Sequence, residues 1–124
     1  MDIAIDFDGT CVEHEYPLVG KDIGAVPILQ RLVSNGHKLI LFTMRHGKEL
    51  EDAVNWFKEN NIKLYGIQTH PTQKNWTTSP KCYAQMYIDD AALGCPLQLQ
   101  EFPKRHYVYW ELVEEMLKQK GLLN

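Results

Sequence analysis

Asp6 and Asp8 stand two residues apart at the end of the apolar run Ile3-Ala4-Ile5, and Gly9-Thr10 follows them. A short apolar run of this kind reads as a buried strand. Residues two apart on a strand point to the same side, so both carboxylates can converge just past the strand's end. Gly9 permits a tight turn there and Thr10 offers a hydroxyl, which makes both candidate substrate contacts. Two convergent carboxylates suit a hard divalent cation. They could equally supply a nucleophile with its acid–base partner. An acidic turn is the plainer reading of an isolated D-x-D pair, but the whole string I-A-I-D-F-D-G-T favours chemistry. Two further apolar runs end in reactive groups: Leu39-Ile40-Leu41-Phe42 runs into Thr43, with Arg45 close behind, and Met86-Tyr87-Ile88 runs into Asp89-Asp90.

These groups need a scaffold that gathers strand ends. Residues 11–21 lack either period and hold Pro17 and Gly20, so they read as a flap leaving from the Asp6/Asp8 end. A helix follows from Gly24 or Ala25, with Ala25, Ile28, Leu29, Leu32 and Val33 on its apolar face and Gly36 just past its end. Residues 38–42 form a second strand. Residues 47–60 form a second helix with Leu50, Ala53, Val54 and Phe57 on one face, and its early acids suit the helix dipole. Residues 63–67 read as a third strand, 68–80 as a polar loop, Pro80-Lys81-Cys82 as the opening of a short helical turn, and 85–88 as a fourth strand. The stretch 97–109 shows no clear pattern, and a last helix runs from Trp110 to Lys120. Alternating strands and helices predict an α/β fold: a three-layer αβα sandwich with a central parallel sheet and helices on both faces. Right-handed crossovers place every strand's carboxyl end on one edge, where such sheets bind ligands.

At 124 residues the chain predicts one domain, 1–124, and 44% hydrophobic residues suffice for a core. Thirteen basic against sixteen acidic residues give a net charge of −3, so neither general nucleic-acid binding nor an anionic membrane surface is expected. Apolar runs are too short to span a bilayer. Cys11, Cys82 and Cys95 are odd in number and contain no CxxC pair, which argues against a disulfide framework or a zinc knuckle. With Met1-Asp2 leading directly into a strand, the expectation is a cytoplasmic protein without a signal peptide.

In four places, in order, the chain resembles the haloacid dehalogenase superfamily of aspartate-nucleophile phosphohydrolases. D-F-D-G-T at 6–10 is similar to the first motif of that superfamily, L-I-L-F-T at 39–43 to the second, Lys81 to the third, and Y-I-D-D at 87–90 to the acidic fourth. E-H-x-Y-P at 13–17, T-x-R-x-G-x-x-L at 43–50 and I-D-D-x-x-L-G at 88–94 resemble a group of small, capless members. The resemblance implies a Rossmann-like core without a cap and a phosphomonoesterase that uses magnesium. Asp6 would be the nucleophile and Asp8 the general acid/base. Thr43 and Lys81 would stabilise the phosphoryl oxygens, with Arg45 a possible substrate contact. Mg2+ would be held by Asp6, Asp8 through its carbonyl, Asp89 and Asp90. Lys74 competes with Lys81 for the lysine's place, and the substrate is a phosphorylated molecule of unassigned identity.

Other readings are a catalytically silent phosphate- or metal-binding protein on the same fold, and a phosphotransferase using the same site. A signalling receiver would need its acid pair first and a lone acceptor aspartate in mid-chain, the reverse of the order here. Without a cap, the expected site is open, roofed only by the flap around His14 to Tyr16 and the loop around Trp76, or by a second subunit of a homo-oligomer. Shallow substrate selectivity would follow.

Overall fold

The computed structural model describes residues 1–102 and 104–124. Its centre is a four-stranded parallel sheet of β1 (Asp2–Ile5), β2 (Lys38–Leu41), β3 (Leu64–Ile67) and β4 (Met86–Ile88), in the order β3-β2-β1-β4. β1 is therefore central, with Ile5 opposite Leu41 on one side and Ile88 on the other. All four strands point the same way, so Asp6, Thr43 and Asp89 leave the sheet along one edge.

Pleating sorts the strand residues by face. Ile3, Ile5, Leu39, Leu41 and Ile88 pack into one core with α1 (Ala25–Ser34), α2 (Gly47–Glu59) and α3 (Trp110–Gln119). Asp22 starts α1 by accepting from the Ala25 and Val26 N–H groups, at 3.1 and 3.2 Å. The helix ends where Gly36 takes φ 90° and the His37 N–H reaches back to Leu32 O at 3.0 Å. Ala25, Ile28, Leu29 and Leu32 are buried on the face that their spacing predicts.

The other face departs from the expected sandwich. Ala4 and Ile40 are covered by Cys82, Tyr65 and Ala84, and the segment supplying most of that layer contains a single 3-10 turn, Gln73–Asn75, in place of an α-helix. Helical structure is not found at Pro80-Lys81-Cys82. Buried Gln73 organises this layer: its Oε1 accepts from the His70 and Tyr83 N–H groups, and its Nε2 donates to Lys81 O at 3.0 Å. His70 Nδ1 accepts from the Thr72 N–H and its Nε2 donates to Asp2 Oδ2 at 3.0 Å. Side-chain hydrogen bonds thus replace the helix, because the Gln68–Pro80 stretch is too polar to offer a continuous apolar face.

The unpatterned stretch 97–109 contains an antiparallel hairpin of β5 (Leu97–Gln100) and β6 (Arg105–Val108). Its alternation is inverted: Leu97 and Leu99 are exposed, while Gln100 is buried. The Val108 N–H donates to Gly9 O at 2.9 Å, and Trp110 Nε1 donates to Thr10 O at 2.7 Å. These bonds fix the hairpin and α3 to the turn after β1. Among the described residues no helix is long and apolar enough to cross a membrane.

Candidate functional site

Phe7 explains why its two neighbours face the cleft. Its ring is buried against Trp56 and Phe57 of α2, with centroids 5.5 and 6.0 Å away. Anchoring the middle residue in the core leaves Asp6 and Asp8 at the sheet's carboxyl edge. One oxygen each of Asp6, Asp89 and Asp90 lie within 4.8 Å of one another. Thr10 braces this cluster from below: its hydroxyl donates to Asp6 Oδ2 at 2.7 Å and accepts from the Asp90 N–H at 3.0 Å. Asp89 Oδ1 accepts from the Ala91 N–H at 2.8 Å.

Burial pushes the Asp6 carboxyl up to about 8. The charges of Asp89 and Asp90 add to the rise, and the Thr10 hydrogen bond opposes it. Burial also raises Asp89. Three mutually repelling, oxygen-only ligands form a donor set of the kind that hard divalent cations prefer. The residues present therefore fit Mg2+.

Asp8 is held apart from that cluster. Arg45 donates to it twice, Nε to Oδ2 at 2.8 Å and Nη2 to Oδ1 at 2.7 Å. The remaining Arg45 donors reach backbone carbonyls: Nη1 to Glu49 O and Pro17 O, and Nη2 to Leu18 O. A guanidinium has five N–H groups, and all five are committed. Arg45 is only 2% exposed. It therefore offers no donor to a substrate and acts on the site through Asp8, against the expectation of a direct contact.

Gly9 and Thr10 likewise serve the turn. The Gly9 N–H is taken by Val12 O at 2.8 Å, and the Thr10 hydroxyl by the two aspartates. Gly9 has φ 78°, and a Cβ there would lie 2.2 Å from the His14 ring and 2.8 Å from Asp90 Oδ2, so only glycine fits. The N–H groups of Phe7 and Asp8 have no acceptor among the described residues, which makes them the backbone donors left at this turn.

Thr43 lines the cleft, and its hydroxyl accepts from the Arg45 N–H at 3.1 Å, leaving its own proton to donate. Gln68 holds Thr43 in place, accepting from its N–H at 2.9 Å and donating to its carbonyl at 2.7 Å. Nothing in the local sequence marks Gln68, whose effect depends on β2 and β3 being neighbours. His14, expected in the flap that roofs the site, is buried; its Nε2 donates to His106 O at 2.8 Å and lies 3.4 Å from Asp90 Oδ2.

Lys81 lies apart from these groups. Its Nζ sits over the Tyr87 ring, 5.7 Å from the centroid, and it forms no ion pair among the described residues. The loop around Trp76 does not roof the site. Trp76 packs edge-on against Tyr83, Tyr83 against His70, and His70 is bonded to Asp2 at the opposite end of β1. The same segment contains Lys74.

The fold can be placed among solved structures at this point. A structure of a conserved protein from Bacteroides thetaiotaomicron matches with a TM-score of 0.80 and 34% sequence identity, covering 97% of this chain and 91% of that one. The chain belongs to the family of that protein. No protein-family model matches the chain, and no curated protein matches it.

Proposed function

We propose that the chain is a magnesium-dependent phosphohydrolase of the haloacid dehalogenase type, acting on phosphate monoesters through an aspartyl-phosphate on Asp6. The convergence of Asp6, Asp89 and Asp90 within 4.8 Å at the ends of two adjacent parallel strands carries this reading. When bound among these carboxylates, Mg2+ would neutralise charge that otherwise repels a phosphate dianion.

The chain's own groups supply the rest. An Asp6 oxygen attacks phosphorus and the bond to the leaving oxygen breaks. The N–H groups of Phe7 and Asp8 and the Thr43 hydroxyl are the donors for the phosphoryl oxygens. A lysine belongs with them in this reading, and Lys81, whose Nζ lies over the Tyr87 ring, remains its candidate. Asp8 is the acid–base group. Bonded to both arms of Arg45, it would protonate the leaving oxygen and then take a proton from the water that hydrolyses the phosphorylated Asp6 as phosphate departs.

The test is hydrolysis of p-nitrophenyl phosphate with Mg2+. Asp6→Asn should abolish turnover while the folded protein survives, and Lys81→Ala should lower kcat far more than Lys74→Ala. Near-wild-type hydrolysis by the Asp6→Asn protein would overturn the assignment.

A further inference from the structure

The cleft above the carboxylates has room and walls that the reaction itself does not use. Its volume of about 870 Å³ matches pockets that hold whole small molecules. Beyond the reacting groups it is lined by Glu15 and Tyr16 from the flap, Met44 and His46 from the turn before α2, and Arg105 from β6. Asp6, Asp8, Glu15, Asp89 and Asp90 make the lining acidic. Of its cations, Arg45 has every donor committed inside the fold, and His14 is turned to His106 O and Asp90. Arg105 differs from both. It is exposed, and among the described residues its guanidinium pairs with no acid, although five carboxylates line the same cleft.

Its place is fixed by the backbone. Arg105 pairs with Gln100 across the hairpin, and the Gln100 side chain accepts from the His14 N–H at 2.9 Å and donates to His14 O at 3.3 Å. The next residue, His106, receives the His14 ring at 2.8 Å, and that ring stands 3.4 Å from Asp90. Arg105 thus lines the cleft that holds the carboxylates, with no side-chain partner among the described residues. A guanidinium so placed matches a carboxylate or phosphate by two-point hydrogen bonding.

We infer that Arg105 is a specificity-determining residue that binds a second anionic group, carboxylate or phosphate, on the leaving-group side of the substrate. This rests on the phosphohydrolase reading for the first group and narrows the substrate class to phosphomonoesters bearing another acid. It also replaces the expectation of shallow selectivity, since the hairpin supplies a recognition group that a bare open site would lack.

The test uses non-hydrolysable probes titrated calorimetrically into the full chain with Mg2+: methylphosphonate against phosphonoacetate, 3-phosphonopropionate and 4-phosphonobutyrate. At least one carboxylate-bearing probe should bind about tenfold tighter than methylphosphonate, the scale of one charge-assisted contact. Arg105→Ala should erase that ratio, and Arg105→Lys should restore part of it. The inference is overturned if the wild-type protein shows no preference. It is equally overturned if Arg105→Ala weakens methylphosphonate by the same factor, which would place Arg105 on the phosphoryl group. A preserved preference in a protein that hydrolyses no ester would support Arg105 as the anion contact and reject only the hydrolase reading.

Discussion

Arg45 and Asp8 form a two-point pair, with 2.8 Å from Nε to Oδ2 and 2.7 Å from Nη2 to Oδ1. The same guanidinium lies between the Phe7 and Tyr16 rings, 5.0 and 5.2 Å from their centroids. It bonds the flap through Pro17 O and Leu18 O and α2 through Glu49 O. One side chain therefore joins the turn after β1, the flap and a helix. Hydrogen bonding to Asp8 raises its pKa more than desolvation lowers it.

Breaking that pair should be costly. Arg45→Met leaves a carboxylate and three carbonyls without their partner, and the expected loss is about 3 kcal/mol, the low end for buried pairs because Asp8 keeps some access to water. Arg45→Lys keeps the charge but loses the fork, so it should recover only part. Urea unfolding measures both, and a loss below about 0.5 kcal/mol for Arg45→Met would show that the pair contributes little.

Catalysis should feel the same pair. With both Asp8 oxygens engaged by Arg45, acid assistance is weak, so kcat/KM should fall steeply as the leaving group becomes more basic. Aryl phosphates such as p-nitrophenyl phosphate should outpace alkyl phosphates of similar charge, and Asp8→Asn should lose little of the aryl phosphorylation step. A flat dependence on leaving-group basicity would mean that Asp8 delivers its proton despite Arg45.

The metal-free protein should lose stability as pH rises. Asp6 titrates at about 8 in the fold against 3.8 for an ordinary aspartate, so the folded state holds the proton more tightly than the unfolded chain. Its contribution is most favourable below the unfolded value and declines as pH climbs to the folded one. In chelator, Asp6→Asn should match the wild type at about pH 4 and exceed it in Tm at about pH 8. Equal Tm differences at both ends would remove Asp6 as the cause.

Magnesium should reverse that penalty. Occupancy of the carboxylate cluster stabilises the folded state in proportion to the logarithm of ligand concentration, so Tm should climb with added Mg2+. Asp89→Asn and Asp90→Asn should each blunt the climb, the larger effect marking the closer ligand. Calcium should raise Tm yet inhibit hydrolysis, its looser coordination spoiling the geometry for attack. A Tm that ignores Mg2+ in the wild type would count against the cluster as a metal site.

Short-range signals in the sequence determined much of this protein. An apolar run closing in an acid pair, as at Ile3–Asp8 and Met86–Asp90, places carboxylates at a strand's end whatever surrounds it. The apolar faces of α1 and α2 follow from 3.6-residue spacing within single helices; on α3 the same spacing also points Met116 inward, yet it is exposed while Val113 and Leu117 are buried. The hairpin escaped notice because on β5 Leu97 and Leu99 are exposed while Gln100 is buried, the reverse of the usual pattern. Gln100 is inside because it bonds the backbone of His14, 86 residues away. Arg45 turned out to be a brace because carbonyls from the flap, together with Asp8 at a separation of 37 residues, fold around it. Gln68 holds Thr43 only because β2 and β3 lie side by side. Periodicity records what a residue prefers by itself. The burial of a polar side chain is settled by partners that tertiary structure brings within hydrogen-bond reach, and that choice carries no local mark.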